Sequence, residues 1–473
     1  MESDVSRISF PKLLLRSLLA GLIATLVLFP FHYLMRKVAL LPSLPYFEGT
    51  IGKVFYLALI FLLAYADLFF VTLIRGRNES SEILGKFVRR GIPLRYLADL
   101  LVVFLCCLLS FSIGIALGAE APSVFMSSLI FGMVFSKGNK DRNLSAEGIR
   151  VGGAVGFALA FHNPLAGLAN SFAANIFTSA QRNKEEWKSV ISSLITLVVT
   201  YFLYSGLRYL AYSNEFSRWY QCFLFNDYSF ELSLIPLSAL SSTWAFCFVF
   251  AFSLPLAYIY VKSASIGRKF GWKDKASSYR FSLYAGVAIC FVLFLFMPKA
   301  LGTGSAYIDG IEGILAESSS WILCLLLVRF VFTIFSFSSH YSGGTIIPTI
   351  GIGMLFGAFI ASLSPSSFGG NEILFVCSFA LSFFGFVTGN GLLPLALVFS
   401  LGFSFPLLII LIPSAALTIL LRRYLSNLPV LSKGLAEADE ANGALKESVF
   451  SLFPLCKWQE GLCLGNRTQW RDL

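Results

Sequence analysis

Charge is what this chain has least of. Of its 473 residues 13% are charged, against 56% hydrophobic and 16% aromatic. Soluble domains carry about twice that ionic share, roughly 25%, so the shortage excludes an ordinary globular enzyme and points to a polytopic membrane protein. Histidine is scarce too: His32, His162 and His340 are the full set, and they form no cluster in sequence. The nine cysteines show no metal-ligand spacing. Most sit inside apolar segments, as Cys106, Cys107, Cys247, Cys290, Cys324 and Cys377 do, where a thiol behaves as a small hydrophobe. No metal cluster, cofactor loop or nucleophile–base pair stands out, so the sequence speaks against an enzyme. A signal-peptide cleavage pattern is also lacking, and the first apolar segment reads as a retained helix.

The charge that is present is one-sided. The net value is +10, and the basic residues gather in connections: Arg7–Arg16, Arg36–Lys37, Arg75–Arg95, Lys137–Arg150, Arg182–Lys188 and Lys262–Arg280. The positive-inside rule accounts for them and places the N-terminus and the 262–280 connection on the cytoplasmic side. The implied partner is a lipid bilayer rather than nucleic acid, with a secondary pull on anions compatible with the same charges.

Two interruptions of the apolar sequence carry the most information. They are Gly118-Ala119-Glu120-Ala121-Pro122 and Ser342-Gly343-Gly344-Thr345-Ile346-Ile347-Pro348. Each ends on a proline, which suits a first helical turn because its missing N–H has no partner there. A helix that starts inside the membrane aims unpaired N–H groups and a positive dipole end into the protein, where an anion can be held. Two such breaks in corresponding halves mark the binding site of a transporter or channel. A second matched pair follows: Phe161-His162-Asn163-Pro164-Leu165-Ala166-Gly167 and Gly389-Asn390-Gly391-Leu392-Leu393-Pro394. The charged connection suggests a transmembrane domain over 1–423, with one repeat at about 13–262 and another at about 281–423, and a polar tail at 424–473. Several apolar stretches fall short of the roughly 20 residues of a full crossing, so partly spanning helices are expected.

Glu120 is the outstanding candidate residue. A carboxylate in an apolar membrane segment is expensive, and here it lies at a helix start that favours negative charge. It therefore competes with an anion for one place. Protonation or an outward swing would vacate it, which makes Glu120 a gate. Asp67 and Asp99 are other isolated acids, each expected to pair with a basic neighbour or face a hydrated crevice.

Together these elements resemble the CLC family of chloride channels and chloride/proton antiporters. The family's Gly-(Arg/Lys)-Glu-Gly-Pro element is matched by Gly118 to Pro122, its Gly-Gly-x-Phe-x-Pro element by Gly343 to Pro348, and its Asn-Ala-Pro-Leu-Ala-Gly element by Asn163 to Gly167 with one residue fewer. Leu301-Gly302-Thr303-Gly304 matches a family turn, and Leu428 to Ser432 resembles the end of the bacterial members. The resemblance implies an all-α fold of two inverted-topology repeats, with discontinuous helices meeting at a mid-membrane anion site. It also implies a homodimer with one pore per subunit, in a bacterial inner membrane. It puts anion contacts at Gly118, Ala119, Glu120, Ala121, Thr345, Ile346 and Ile347, with Glu120 as gate and external proton acceptor. Chloride, and protons in the exchangers, are the implied cargo.

Departures from the family thin out the polar side chains. The family's chloride-binding serine aligns with Arg77, either an anion ligand or a positive-inside arginine, with Ser80 or Ser81 as substitute hydroxyls. Its final tyrosine aligns with Leu431, leaving Tyr424 or Ser432 as the nearest hydroxyls. The exchangers' internal proton-transfer glutamate aligns with Ala174, which cannot carry a proton. These losses favour uncoupled or weakly coupled anion conduction over tight antiport. A carrier of a small organic anion and a non-transporting scaffold are the competing readings.

Overall fold

The computed structural model describes residues 9–39, 41, 44–47, 49–74, 95–136, 142–169, 186–212, 243–269, 276–339, 341–363, 371–400 and 405–425. Arg77, Ser80, Ser81, Ala174, Leu431 and Ser432 lie outside these residues, as does the side chain of Tyr424. Among the described residues the chain is helical, and the one β-type contact is an isolated bridge between Gly118 and Gly344.

The helices are α1 (Phe10–Ala39), α2 (Gly49–Ile74), α3 (Arg95–Ile113), α4 (Glu120–Ser136), α5 (Arg142–Ala160), α6 (164–169) and α7 (Glu186–Ala211). They continue as α8 (Thr243–Lys269), α9 (Ala276–Phe296), α10 (Ser305–Asp309), α11 (Ile311–Leu315), α12 (Ser319–Ser338), α13 (Ile346–Leu363), α14 (Glu372–Thr388), α15 (Leu392–Leu397) and α16 (Phe405–Leu425). Five are long and apolar enough to cross a membrane: Phe10–Ala39, Gly49–Phe70, Val190–Ala211, Ser319–Ser338 and Ile346–Leu363. By contrast α4 and α14 have 17 residues each. At 1.5 Å per residue that is about 25 Å, short of a hydrocarbon core of about 30 Å. The expected mixture of full and partial helices is present.

The same order of helices occurs twice. Helices α1 to α7 reappear as α8, α9 and α12 to α16, with the short α10 and α11 inserted. Helix α8 packs on α12 and α14. It is thus the first helix of the second unit, and the boundary expected between 262 and 281 falls ahead of residue 243 instead. The basic 262–280 connection misled because a positive-inside loop marks a side of the membrane, not a border between repeats.

Burial separates two kinds of helix. The long helices expose apolar side chains, among them Leu15, Ile51, Phe202 and Val331, as a lipid-facing surface does. The broken helices α4 and α13 and their partners α5 and α14 lie inside. Glycine permits the close packing: a Cβ on Gly152 would come within 2.6 Å of the Ser127 carbonyl, and one on Gly353 within 2.9 Å of the Ala380 Cα. Since every backbone polar group must be satisfied away from water, irregular backbone survives only in this protein-covered interior.

Candidate anion site where the two broken helices meet

The two interruptions touch each other. Gly118 N–H donates to the Gly344 carbonyl at 2.7 Å, and Gly344 N–H donates back to the Gly118 carbonyl at 2.5 Å. The contact is antiparallel. Flanking serines repeat the exchange: Ala116 N–H donates to Ser336 Oγ at 3.3 Å and Ser342 N–H to Ser110 Oγ at 3.2 Å. Ser110, Ala116 and Gly118 stand at one constant sequence offset from Ser336, Ser342 and Gly344. Equivalent residues that swap bonds in this way are related by a local two-fold axis. That axis passes between the two breaks.

The helices begin at Glu120 and Ile346. This is slightly earlier than the prolines, which occupy the third helical position and remain within the first turn. The first N–H groups of α4 and α13 have no preceding carbonyl to bond. One of them is used: Ile347 N–H donates to Glu120 Oε1 at 3.0 Å. The carboxylate of one broken helix therefore sits on the amide end of the other.

Two missing side chains make room for it. A Cβ on Gly118 or on Gly344 would overlap the Glu120 carboxylate oxygens. Glu120 is 2% exposed, and its Oε2 is buried with no hydrogen-bond partner. The cradle is a space the size of one small anionic group, walled by a glycine from each half. One expectation needs correcting here: the Gly118 amide is committed to Gly344, so this residue shapes the space and is not a free donor.

Ile347 also lines a cavity of about 10 Å³, together with Phe161, Ile308, Ile350, Leu381, Leu397 and Ser400. That volume is close to the minimum for a single water, and its walls are apolar apart from the Ser400 hydroxyl. Asn163 holds this region together. Its Oδ1 accepts from the amides of Leu165 and Ala166 at 2.9 and 3.3 Å, capping α6. Its Nδ2 donates to the Ala396 carbonyl and Ser400 Oγ, both at 2.8 Å, across to the second half. Asn390 caps α15 in the same manner, accepting from Leu392 and Leu393 at 3.1 and 3.2 Å.

Other buried polar groups escaped sequence reasoning or depart from it. Asp67 is fully buried beside Cys106, and among the described residues no basic side chain pairs with it. Arg329 of α12 is fully buried; its Nη1 donates to the Ala300 carbonyl at 2.6 Å and its guanidinium lies 5.5 Å from the Tyr307 ring centre. His32 of α1 lies 2.7 Å from Tyr204 Oη and 2.6 Å from Ser123 Oγ, one helical turn along α4 from Glu120. A lone histidine or arginine in a long apolar segment gives no sign of its partners, because those partners are far away in sequence.

The sequence model of the voltage-gated chloride channel family matches residues 58–423. The chain belongs to this family. Its fold is that of the CLC proteins. The structure of a slow cyanobacterial Cl⁻/H⁺ antiporter matches with a TM-score of 0.66 at 15% identity, covering 90% of this chain and 96% of that one. A CLC-type fluoride/proton antiporter matches with a TM-score of 0.64 at 18% identity, covering 86% and 95%. A eukaryotic CLC transporter gives 0.64 at 17%, covering 86% of this chain and 71% of its own. At such identities the likeness shows the fold alone. Among curated proteins no match is found. The chain is an integral membrane protein of a family of anion channels and exchangers.

Proposed function

We propose that this protein carries chloride across the membrane along a path blocked by the Glu120 carboxylate, and that movement of this side chain is the gate. The observation that supports the reading is the Glu120 Oε1 contact with the Ile347 amide inside the Gly118–Gly344 cradle. A side-chain anion occupies the place where helix ends favour negative charge, so a permeating anion must displace it. The amides of Ala119, Ala121, Thr345, Ile346 and Ile347 form the rim of that place. The cavity beside Ile347 is the next position along the path. Backbone groups and a few hydroxyls line the route, which gives the weak binding that conduction needs. The related antiporters raise proton coupling as the alternative mode, and a homodimer with one pore per subunit follows from the same reading.

Reconstitution of the purified protein in liposomes tests it, with chloride and proton movement recorded together under a chloride gradient. Chloride efflux that changes strongly in Glu120→Gln supports the gate. Opposing proton uptake would identify an exchanger and its absence an uncoupled pathway. Flux of an organic anion in preference to chloride would replace the substrate, and no flux of any anion in either protein would overturn transport.

A further inference from the structure

A hydrogen-bonded chain leads from the partly exposed His32 to the buried start of α4. Tyr204 Oη lies 2.7 Å from His32 Nδ1, and His32 Nε2 lies 2.6 Å from Ser123 Oγ. Ser123 Oγ in turn donates to the Ala119 carbonyl at 2.7 Å. Since the serine proton points to Ala119, Ser123 accepts from His32, and Nε2 carries a proton. Tyr204 then donates to Nδ1 when the ring is neutral with its proton on Nε2, and accepts from Nδ1 when the ring is an imidazolium. Both protonation states of His32 are thus satisfied without rearranging heavy atoms. Ser123 and Glu120 are three residues apart and share a helix face.

The second half shows what this arrangement looks like without an imidazole. There Tyr260 of α8 lies 3.1 Å from Thr349 Oγ1, which donates to the Thr345 carbonyl at 2.7 Å. Thr349 and Thr345 are the counterparts of Ser123 and Ala119 at the same sequence offset as the glycine pair. A phenol suffices to hold the first helix of a repeat against its broken helix. The first half places an imidazole at this junction instead. A second histidine converges on the same tyrosine: the His162 ring centre is 6.0 Å from that of Tyr204 and 5.0 Å from that of Tyr201, and its Nε2 is 3.0 Å from Ser205 Oγ. His162 has a φ of 47°, where the other half has Gly389 at 63°.

We propose that His32 is a proton-transfer residue for the Glu120 gate, passing a proton through the Ser123 hydroxyl to the Glu120 carboxylate after that carboxylate leaves the Ile347 amide. This rests on the reading of Glu120 as the gate. In the step, the Nε2–H bond of the imidazolium breaks as a new O–H bond forms at Ser123, while the original Ser123 proton moves from Oγ to a Glu120 carboxylate oxygen. Imidazolium and carboxylate become neutral imidazole, bearing its proton on Nδ1, and a carboxylic acid. Once the Ser123 hydroxyl has turned back to the Ala119 carbonyl, an aqueous proton added at Nε2 restores the imidazolium. The route takes the place of the carboxylate relay that the sequence around Ala174 lacks. Titratable or charged groups on the elements against α1 include Tyr201, Tyr204, Arg208 and Tyr209 of α7, Tyr212 just beyond its end, His162 beside them, and Glu120 of α4. Helix α3 adds Asp99, Cys106 and Cys107, α5 the Glu147–Arg150 pair, and α1 itself Tyr33 and Arg36.

The test compares His32→Gln, Ser123→Ala, Glu120→Gln and the double variants in liposomes, with chloride and proton fluxes followed from neutral to acid pH. Glutamine keeps a donor and an acceptor at position 32 but does not titrate. His32→Gln and Ser123→Ala are expected to slow the acid activation of flux, and any coupled proton movement, by roughly 100-fold, the low end of what a positioned proton-transfer group contributes. In the Glu120→Gln background neither change is expected to have a further effect, because the acceptor is gone. A pH response like that of the unmodified protein in both single variants overturns the relay, and so does an equal loss of flux with and without Glu120, which is the mark of a structural contact. If one single variant fails to fold, the other carries the comparison. An unchanged flux and pH profile in Glu120→Gln alone overturns the gate itself, a result separate from failure of the relay.

Discussion

Gly118 and Gly344 hydrogen-bond each other in both directions and leave between their bare Cα atoms the space that the Glu120 carboxylate fills. The relationship makes two glycines, distant in sequence, part of one gate. Gly344→Ala places a methyl group on the Glu120 carboxylate. The expected outcome is displacement of the side chain and a chloride flux that no longer responds to pH, as in a Glu120 variant. Gly206→Ala is the control, because a Cβ there meets nothing within 4 Å. Flux against pH for the two variants checks the prediction.

The gate also fixes the sign of the pH response. The carboxylate is held as an anion on the amide end of α13, and protonation removes that attraction, so flux is expected to rise as pH falls. Interaction of a carboxylate with a helix end in a partly buried setting is worth up to about 2 kcal/mol, which is roughly a 30-fold change in gate occupancy. Glu120→Gln is expected to give high flux at neutral pH and a flat profile. A profile as steep as that of the unmodified protein would remove Glu120 from the gate.

The two asparagine caps are unequal. Asn163 caps α6 and adds two bonds across the halves, whereas Asn390 caps α15 with its Nδ2 buried and unbonded. Loss of a cap costs about 1 kcal/mol, and each lost neutral hydrogen bond about 1 kcal/mol more. Asn163→Ala is therefore expected to destabilise the protein by about 3 kcal/mol and Asn390→Ala by about 1 kcal/mol. Thermal unfolding in detergent measures the difference, and equal losses would contradict the cross-half role of Asn163.

The left-handed residues His162 and Gly389 give different expectations. Gly389→Ala introduces a side chain at a φ of 63° and is expected to lower stability by about 1 kcal/mol. His162→Gly relieves a similar backbone strain at 47° but removes the ring from the Tyr201–Tyr204 cluster. Its stability is expected to change by less than about 1 kcal/mol. A fall as large as that of a core truncation would show the ring to be essential to packing.

Much of the architecture was legible in the chain because membrane physics restricts the choices. Apolar length, the glycine–proline breaks and the isolated Glu120 gave an all-α membrane fold with broken helices, since lipid tolerates few other backbones. The repeat was visible in its motifs, but its border was misplaced because the basic 262–280 segment records sidedness. The partners of Glu120 were not legible beyond the glycine break.

By itself, then, the sequence determined the class of fold, the family and the residues at the two helix starts, all of which depend on local composition and short motifs. Only the tertiary structure decided that Gly118 pairs with Gly344, that Ile347 receives Glu120, and that His32 reaches Ser123 through a contact 91 positions apart in the chain. Hydrogen bonds reach about 3 Å, and which groups come that close depends on how the helices pack. A one-dimensional pattern does not encode that distance.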